Sequence, residues 1–305
     1  MSASTVIQTL TSYARGIAQD RRSVLAEFLA PTVIVGAATG KFKSFNDKNS
    51  FVVETTDRAI GGPAKRIEFL ASDSDYSCKP QALEIAIDDQ ERAEAGEGDP
   101  LGLEQAKIST LITRAIVSHE NKVVQAVKDG VSAVGSRGSW SDLSTNDPIK
   151  EIDEQIKAVA VETGMLPNRL ALGVGAWYYL RNHAKTIARQ PGAASIGITA
   201  AQLAGMLLNP AIQIEIGTLS KDTTKMGATK SAANIVGDEV FVFYAQQGPS
   251  IYDASFAKTF RTRGGGVDSV RKYRDEQNRS DVIALDWSED IQVVSTACVR
   301  RLTIT

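Results

Sequence analysis

The sequence contains little cysteine and little histidine. Among its 305 residues are two cysteines, Cys78 and Cys298, and two histidines, His119 and His183. Two cysteines so far apart do not make a disulfide framework, and a zinc site needs closer spacing. We interpret both as small buried apolar groups, which fits a reducing compartment. The histidines lack the spacing of a zinc protease motif, so each is expected on a helix as a surface or packing residue.

Long apolar runs and an excess of positive charge are absent as well. No apolar stretch reaches membrane-spanning length, and the N-terminus, MSASTVIQTLTSYARGIAQDRRS, lacks the continuous apolar core of a signal peptide. The formal net charge is -2, so no basic field marks a dedicated nucleic-acid binder. The hydrophobic share of 43% and the charged share of 23% are ordinary for a globular protein. The composition predicts a soluble protein made in the cytoplasm, with two domains or one core with large excursions.

Several stretches resemble ligand-binding motifs but depart from them at a required position. GAATGKFKS is one residue too short between its glycines for a phosphate loop, and Phe42 stands where a metal-binding Ser or Thr belongs. GVGAWY has Tyr178 in place of the third glycine of a dinucleotide fingerprint. The acidic run from Asp88 to Asp99 lacks calcium-loop spacing and is interpreted as a solvated face. RTRGGGVDSVRKYR could hold phosphate or form a mobile surface loop. The motifs therefore predict no enzyme, no cofactor and no metal ion.

The N-terminal part predicts a helix, a short strand and a long polar segment. Apolar residues recur at helix-like intervals between residues 5 and 30, and LAPTVIVG is extended because Pro31 disfavours helix at the residue before it. Residues 36–76 are polar and contain the turn sequence GGP, which predicts an extended hairpin or loop of about 40 residues. Such a hairpin could reach roughly 65 Å, whereas a compact chain of this length has a radius of gyration of about 19 Å. The segment is therefore either disordered or covered by a partner.

The middle of the chain predicts one unusually long helix. ALEIAID alternates as a strand, and a helix then begins at Asp99 and keeps one apolar face as far as Gly130, about 30 residues or roughly 45 Å. SRGSWSDLSTND is rich in glycine and serine, carries Trp140, and leads to Pro148, which begins a second helix. A mixed α/β unit follows, and strands run from EVFVFYA to the C-terminus.

These parts, in this order, resemble the major capsid proteins of tailed bacteriophages, which have the Hong Kong 97-type fold. The resemblance lies in FLAPTVIVGAATGKFKSFNDKNSF, ETTDRAIGGPAKRIEF, RAIVSHENKVVQAV, GSWSDLSTNDPIKEIDEQI and GMLPNRLALGVGAWYYLRNHAKTI, and it is looser after about residue 190. It implies an α+β fold with five parts: an N-terminal arm (1–35), an extended loop (36–76), a peripheral domain with a long spine helix (77–147), an axial α/β domain (148–285) and return strands of the peripheral domain (286–305).

The resemblance also implies a function and a set of partners. The chain would be a structural protein that self-assembles into pentamers and hexamers of an icosahedral shell around double-stranded phage DNA. It would be assembled in the host cytoplasm and end in the virion capsid, with scaffolding, portal and decoration proteins as partners and no membrane. Because no room precedes the arm, a scaffold would be a separate protein or absent. The enclosed DNA would be held without tight specific binding.

The residues expected at subunit interfaces follow from the same resemblance. They lie at the start of the extended loop, beside its GGP turn, or in the basic glycine-rich stretch: Lys41, Phe42, Arg58, Lys65, Arg66, Arg263, Gly264, Gly265 and Gly266. The seam between the peripheral and axial domains is expected at Trp140, Asp147 and Pro148, with Trp140 as a packing anchor. Some family members join a loop lysine to an asparagine. Asn278 is available here, but lysines are expected in any polar loop, so we expect no such cross-link.

Two alternatives remain open from the sequence. An encapsulin-type compartment has the same fold but holds an enzyme in place of DNA, and the sequence separates it poorly from a phage capsid. A soluble α/β enzyme that uses GVGAWY or RTRGGG is the alternative from another class. An enzyme would elute from gel filtration as a small oligomer, whereas a shell protein would elute as capsomers or very large particles.

Overall fold

A computed structural model describes most of the chain. The described residues are 5–6, 24–44, 56–58, 60–62, 64–66, 72–95, 100–134, 140–189, 197–222, 224, 229–263 and 270–304. The helices within them are α1 (Val24–Leu29), α2 (Asp89–Glu94), α3 (Pro100–Gly130), α4 (Pro148–Thr163), α5 (Val174–Asn182), α6 (Ala184–Ala188) and α7 (Ala200–Met206). The strands are β1 (Thr5–Val6), β2 (Thr32–Val35), β3 (Thr39–Ser44), β4 (Ser72–Ser77), β5 (Lys79–Asp88), β6 (Ala133–Val134), β7 (Arg169–Gly173), β8 (Gln213–Gly217), β9 (Ser220–Asp222), β10 (Ala232–Asn234), β11 (Glu239–Phe243), β12 (Ala257–Thr262), β13 (Val270–Asp275), β14 (Ser280–Val293) and β15 (Val299–Thr303).

The first of the two larger sheets is built around the long strand β14. Its order is β1-β13-β14-β12-β2, and β5 also pairs with β14, in antiparallel register with Leu83 opposite Leu285. The N-terminal half of α3 packs on one face of this sheet. The shared core contains Ile87, Ile108, Leu111, Ile112, Ala115, Ile283, Leu285 and Trp287. A helix that presents apolar residues three and four positions apart buries one continuous stripe in this way.

The second sheet has the order β6-β15-β11-β7-β8 and carries helices on both faces. On one face, the apolar sides of α4, α5 and α7 pack against Leu170, Leu172, Val240 and Val242. On the other face, α1 and the C-terminal half of α3 pack against the alternate side chains of the same strands. The helix α3 therefore belongs to two cores, one on each sheet, and connects them.

The C-terminal end of α3 is fixed to the second sheet by charged hydrogen bonds. The Arg301 guanidinium donates to both oxygens of Glu239, each at 2.9 Å, and also to the Lys128 carbonyl at 2.8 Å. The Lys128 ammonium lies 3.2 Å from Glu239. A cation at a helix C-terminus satisfies carbonyls that have no partner within the helix and opposes the negative end of its dipole.

Several elements confirm the expectations from the sequence. The long helix runs from Pro100 to Gly130, and α4 begins at Pro148. The segment LAPTVIVG contains β2, and both cysteines are buried and unpaired. The predicted N-cap of the long helix, Asp99, lies outside the described residues.

Other elements differ from the expectations. Thr5–Val6 forms a strand that pairs with β13, where the apolar spacing predicts helix. The helix predicted over AWYYLRNHAKTIARQ is broken at His183 into α5 and α6. Strands β12 and β13 lie within 148–285 yet belong to the first sheet, and β15 lies within 286–305 yet belongs to the second. Sequence order cannot show which sheet a strand joins, because pairing partners are distant in the chain.

Candidate assembly interface

The two ends of the polar segment 36–76 pair with each other. Strands β3 and β4 form an antiparallel ladder that runs from Thr39 opposite Ser77 to Ser44 opposite Ser72. We call this ladder the hairpin root, and we call residues 56–66 between its strands the hairpin tip. The root faces the protein with Phe42 and Ser44, both of which are buried. Alternation along a strand places the side chains between them on the opposite face.

An aromatic stack fixes the root to the first sheet. The Tyr76 ring lies parallel to the Phe260 ring of β12 with centroids 4.7 Å apart, and the Phe42 ring lies 5.1 Å from the same ring. Phe260 is completely buried and the two root rings nearly so. A Cβ atom on Gly40 would lie 2.5 Å from the Tyr76 hydroxyl, so a glycine is required beside this ring. Three buried rings in contact make this a strong anchor.

Backbone hydrogen bonds reinforce the stack on both strands of the root. The Lys43 N–H donates to the Ile251 carbonyl at 3.1 Å, in the loop that leads into β12. The Ser77 N–H donates to the Asp290 carboxylate at 2.8 Å, on β14. The root is therefore part of the folded subunit and does not depend on a partner.

The outer face of the root carries opposite charges in register. Lys43 pairs with Asp73 at 2.5 Å, and Lys41 stands opposite Asp75 on the neighbouring strand. The hydrogen bond from Lys43 lowers the pKa of the Asp73 carboxyl. Exposed pairs of this kind contribute at most about 1 kcal/mol each. Lys41, an expected interface residue, is exposed on this balanced face.

All the described residues of the hairpin tip except Gly62 are solvent-exposed. Arg58, Lys65 and Arg66 all have exposed side chains, and Ile60 is exposed by 106%. Gly61 has φ +80°, which confirms the turn predicted from GGP and suits glycine best. Ile60 is thus a large apolar side chain that stands fully exposed between two arginines.

Among the other expected interface positions, one differs from the prediction, one is exposed and three lie outside the described residues. Phe42 is a correction: it is 3% exposed and packs inside its own chain, because strand alternation turns it towards Phe260. Arg263 is exposed at the end of β12, where its backbone N–H donates to the Val35 carbonyl at 3.0 Å. Gly264, Gly265 and Gly266 lie outside the described residues.

The expected seam residues surround the start of α4. Trp140 is 1% exposed, and its Nε1 donates to the Glu151 carboxylate at 2.8 Å. The Asp147 carboxylate accepts from the Lys150 N–H and caps α4, and Pro148 occupies its first turn. An Asp cap followed by proline suits a helix start, since both satisfy or remove backbone donors that lack partners.

Sequence reasoning missed a buried ionic cluster on the face of the first sheet opposite the root. Glu289 of β14 has a side chain 1% exposed, and its Oε2 lies 3.0 Å from both His119 Nδ1 and Arg261 Nη2. Burial alone would raise the pKa of Glu289, but the contacts with His119 and Arg261 outweigh it and lower that pKa to about 2. The sequence signal for this cluster was the alternation of side chains along the strand DWSEDIQV, which places Glu289 on the same face as the buried Trp287.

The acidic run from residue 88 is engaged in ion pairs. The Asp89 carboxylate accepts one hydrogen bond from each terminal nitrogen of Arg274, both at 2.6 Å. The Glu91 carboxylate lies 2.6 Å from the Lys107 ammonium. Within the described ranges, no group of three or more His, Cys, Asp or Glu residues is placed to hold a metal ion. In the same part of the chain, no helix combines the length and apolar character needed to cross a membrane.

One curated protein is similar in sequence over half of the chain. The major capsid protein of Burkholderia phage BcepMu is 28% identical over 173 residues, a stretch that covers 53% of this chain and 54% of that protein. The chain thus spans about half the length of the curated relative it matches. No family model matches the chain.

Solved structures are similar over nearly the whole chain. A phage-related protein from Bordetella bronchiseptica RB50 has a TM-score of 0.76 and 24% identity, with 99% of this chain and 98% of that chain covered. The capsid of cyanophage P-SCSP1u has a TM-score of 0.55 and 11% identity, with 91% and 86% covered. An encapsulin from Synechococcus elongatus PCC 7942 has a TM-score of 0.54 and 10% identity, with 100% and 92% covered. The resemblance inferred from the sequence is confirmed at the level of the fold: the chain has the α+β Hong Kong 97-type capsid fold.

Proposed function

We propose that this chain is the structural subunit of a tailed-phage capsid, and that it assembles into pentamers and hexamers of an icosahedral shell around double-stranded DNA. The observation that carries the proposal is the contrast within one hairpin, whose root is built into the subunit while Arg58, Ile60 and Arg66 at its tip are exposed. A shell needs contacts between different surfaces of neighbouring copies, and a projecting hairpin supplies such a contact.

The hairpin tip is proposed to lie on a neighbouring subunit. Its ordering cost cannot be met by its own few apolar residues, so burial between subunits would offset it. Obligate interfaces bury roughly 2,000–5,000 Å², which is ample for a segment of this length.

The first sheet with the N-terminal half of α3 would form the peripheral part. The second sheet with α4 to α7 would form the axial part, with the seam at Trp140, Asp147 and Pro148. The remaining N-terminal residues would act as an arm.

The proposed role is structural and needs no catalytic group or cofactor. Assembly would take place in the host cytoplasm, with a scaffolding protein, a portal protein at one vertex and decoration proteins on the finished shell. The similarity to phage capsid proteins supports a place in the virion. The partners other than further copies of the chain are proposed from the resemblance alone.

We propose that the shell encloses DNA without binding it tightly. The net charge is -2, and the basic residues near the acidic run, Arg274 and Lys107, are already engaged by carboxylates. Each free basic contact to phosphate would add affinity through counterion release and would impede packaging. Unassembled subunits should bind duplex DNA with a Kd of about 10⁻⁴ M or weaker at physiological salt, as measured by gel-shift titration. Micromolar binding that weakens steeply with salt would contradict this.

Electron microscopy of the purified chain in negative stain, after gel filtration, tests the function most simply. The proposal expects capsomers or closed shells. A small oligomer of fixed size without ring or shell form would contradict it and favour the enzyme alternative.

An encapsulin-type shell is the second candidate, favoured by the similarity to the Synechococcus encapsulin over the whole chain. Particles isolated from the natural source separate the two, because a capsid contains DNA and an encapsulin contains protein cargo. Genes for a terminase and a portal protein beside the gene for this chain would support the capsid.

A further inference from the structure

His183 lies at the break between α5 and α6, and it is completely buried. Its extended backbone ends α5 and lets its imidazole cap α6, where Nδ1 accepts a hydrogen bond from the Lys185 N–H at 3.3 Å. A ring nitrogen that accepts a hydrogen bond is unprotonated, so the ring is neutral and carries its proton on Nε2. Nε2 is buried and has no hydrogen-bond partner of normal geometry within the described residues.

The short helix that His183 caps holds the segment 140–147 in place. Three hydrogen bonds run from this helix and its end to the segment, from Ala184 N to Leu143 O (2.9 Å), from Lys185 Nζ to Thr145 O (2.7 Å) and from Arg189 Nη2 to Asp147 Oδ2 (2.6 Å). The helix α6 has five residues, and so short a helix depends on its cap and its packing. Loss of the His183 cap would therefore weaken all three bonds.

Some groups near the ring lower the pKa of His183 and others raise it. Burial lowers the pKa of His183, and Lys185 on its own helix acts in the same sense. The backbone and carboxylate of Asp142 and the carboxylate of Asp147, on the segment, favour protonation but do not outweigh burial. The neutral ring is therefore the form that matches the closed structure.

We propose that His183 is an acid-sensitive lock on the segment 140–147, closed while the ring is neutral and released when it takes up a proton. An imidazolium has two donors and no acceptor, so the Lys185 N–H would lose its partner and a charge would occupy a fully buried position. The open segment gives the ring access to water. Since the open form binds the proton more readily, opening is favoured as the pH falls below the ordinary histidine pKa of about 6.5.

Release of this segment would loosen the start of α4 on the second sheet, since β6 before the segment and α4 after it both belong to that part of the fold. The segment lies in the chain between β6, which follows α3, and the start of α4 on the second sheet. Trp140, the first residue of the segment, is buried in the core under α4, so release of the segment would also disturb the packing of that core.

Hydrogen exchange of the unassembled full chain at pH 7.5 and 5.5, corrected for the intrinsic pH dependence of exchange, tests the lock. Residues 141–146 and 184–189 should be about tenfold less protected at pH 5.5, which lies about one unit below the ordinary histidine pKa. Strands β7 and β11 should keep their protection at both pH values.

The two histidines of the chain provide a matched pair of variants. His183→Asn keeps an oxygen that can cap α6 but takes up no proton, so it should abolish the pH effect. His119→Gln removes the other histidine and should leave the pH effect of the unchanged chain intact. Equal protection of the segment at both pH values, or a pH effect that survives in His183→Asn, would overturn the proposal.

A nuclear magnetic resonance titration of the two histidine rings covers the case in which His183→Asn does not fold. In the unchanged chain, the His183 ring should take up its proton over the same pH range in which the segment opens. A His183 ring that is protonated while the segment stays protected would contradict the lock. So would an opening that follows the His119 ring.

Discussion

The root and the tip of the same hairpin are stabilised in different ways. At the root, Tyr76 stacks on Phe260 of a distant strand and Phe42 packs against the same ring, and the root strands hydrogen-bond to the loop before β12 and to β14. At the tip, Arg58 and Arg66 are exposed and the one large apolar side chain described there, Ile60, is fully exposed. The subunit thus fixes the root of the hairpin, and our proposal is that a neighbouring copy covers the tip.

This difference separates folding from assembly within one segment. Each ordered residue costs roughly 1–2 kcal/mol of backbone entropy, which buried aromatic contacts at the root can offset and exposed side chains at the tip cannot. Changes at the root should therefore alter the stability of the subunit. Changes at the tip should alter only the formation of shells.

The largest expected effect comes from Phe260→Ala at the root. This substitution removes the ring against which both root aromatics pack and leaves a cavity in a completely buried site. Urea unfolding of unassembled subunits should show a loss of about 3–5 kcal/mol. The matched control is Tyr252→Ala in the preceding loop, where the ring is 63% exposed and the loss should stay within about 0.5 kcal/mol. Equal losses in the two variants would show that the stack does not anchor the root.

A somewhat smaller loss is expected from Glu289→Gln, on the opposite face of the same sheet. The neutral amide leaves Arg261 without its buried counter-charge, and removing one partner of such a pair costs about 3 kcal/mol near pH 7. Glu276→Gln is the matched control, because that side chain is 85% exposed and should change unfolding little.

The same carboxylate predicts the direction of the pH dependence. The pKa of Glu289 is lowered from 4.5 to about 2, so its stabilising effect is complete above about pH 4.5 and disappears as the pH falls through about 2. Urea unfolding at several pH values should show Glu289→Gln losing less stability than the unchanged chain over this window. Parallel losses in both proteins would mean that Glu289 is not held ionised by its neighbours.

The smallest effect on stability, together with a large effect on assembly, is expected at the tip. The double substitution Arg58→Glu with Arg66→Glu should change the free energy of unfolding by less than about 0.5 kcal/mol, since both side chains are exposed. Shell yield, measured by sedimentation or microscopy, should fall steeply because every copy in the shell repeats the same repulsion. Arg58→Lys with Arg66→Lys keeps the charge and serves as the control, and it should keep most of the yield. Normal yield from the glutamate variant would remove the tip from the interface.

Local signals in the sequence predicted the elements whose causes are local. The proline at the first turn and the glycine at the end of α3 correspond to its observed bounds, and Asp147 with Pro148 marks the start of α4. The GGP turn and its exposed charges were also predicted, because glycine and arginine have strong conformational and solvation preferences of their own.

Features that depend on distant partners were not predictable in the same way. The sequence predicts that residues 36–76 are disordered or covered by a partner, yet 39–44 are ordered by pairing with β4 and by Phe260. The break at His183 depends on a buried imidazole that caps the next helix, where local propensity favours continuous helix. Likewise, β12 and β13 join the first sheet because they pair with β14 and not because of any property of their own residues.

Hydrogen exchange in unassembled subunits and in purified shells tests the central claim most directly. The account predicts that the root amides, 39–44 and 72–77, are protected in both states, whereas the tip amides, 56–66, are protected only in shells. Tip amides that are equally protected in unassembled subunits and shells, or root amides that exchange freely until shells form, would contradict it.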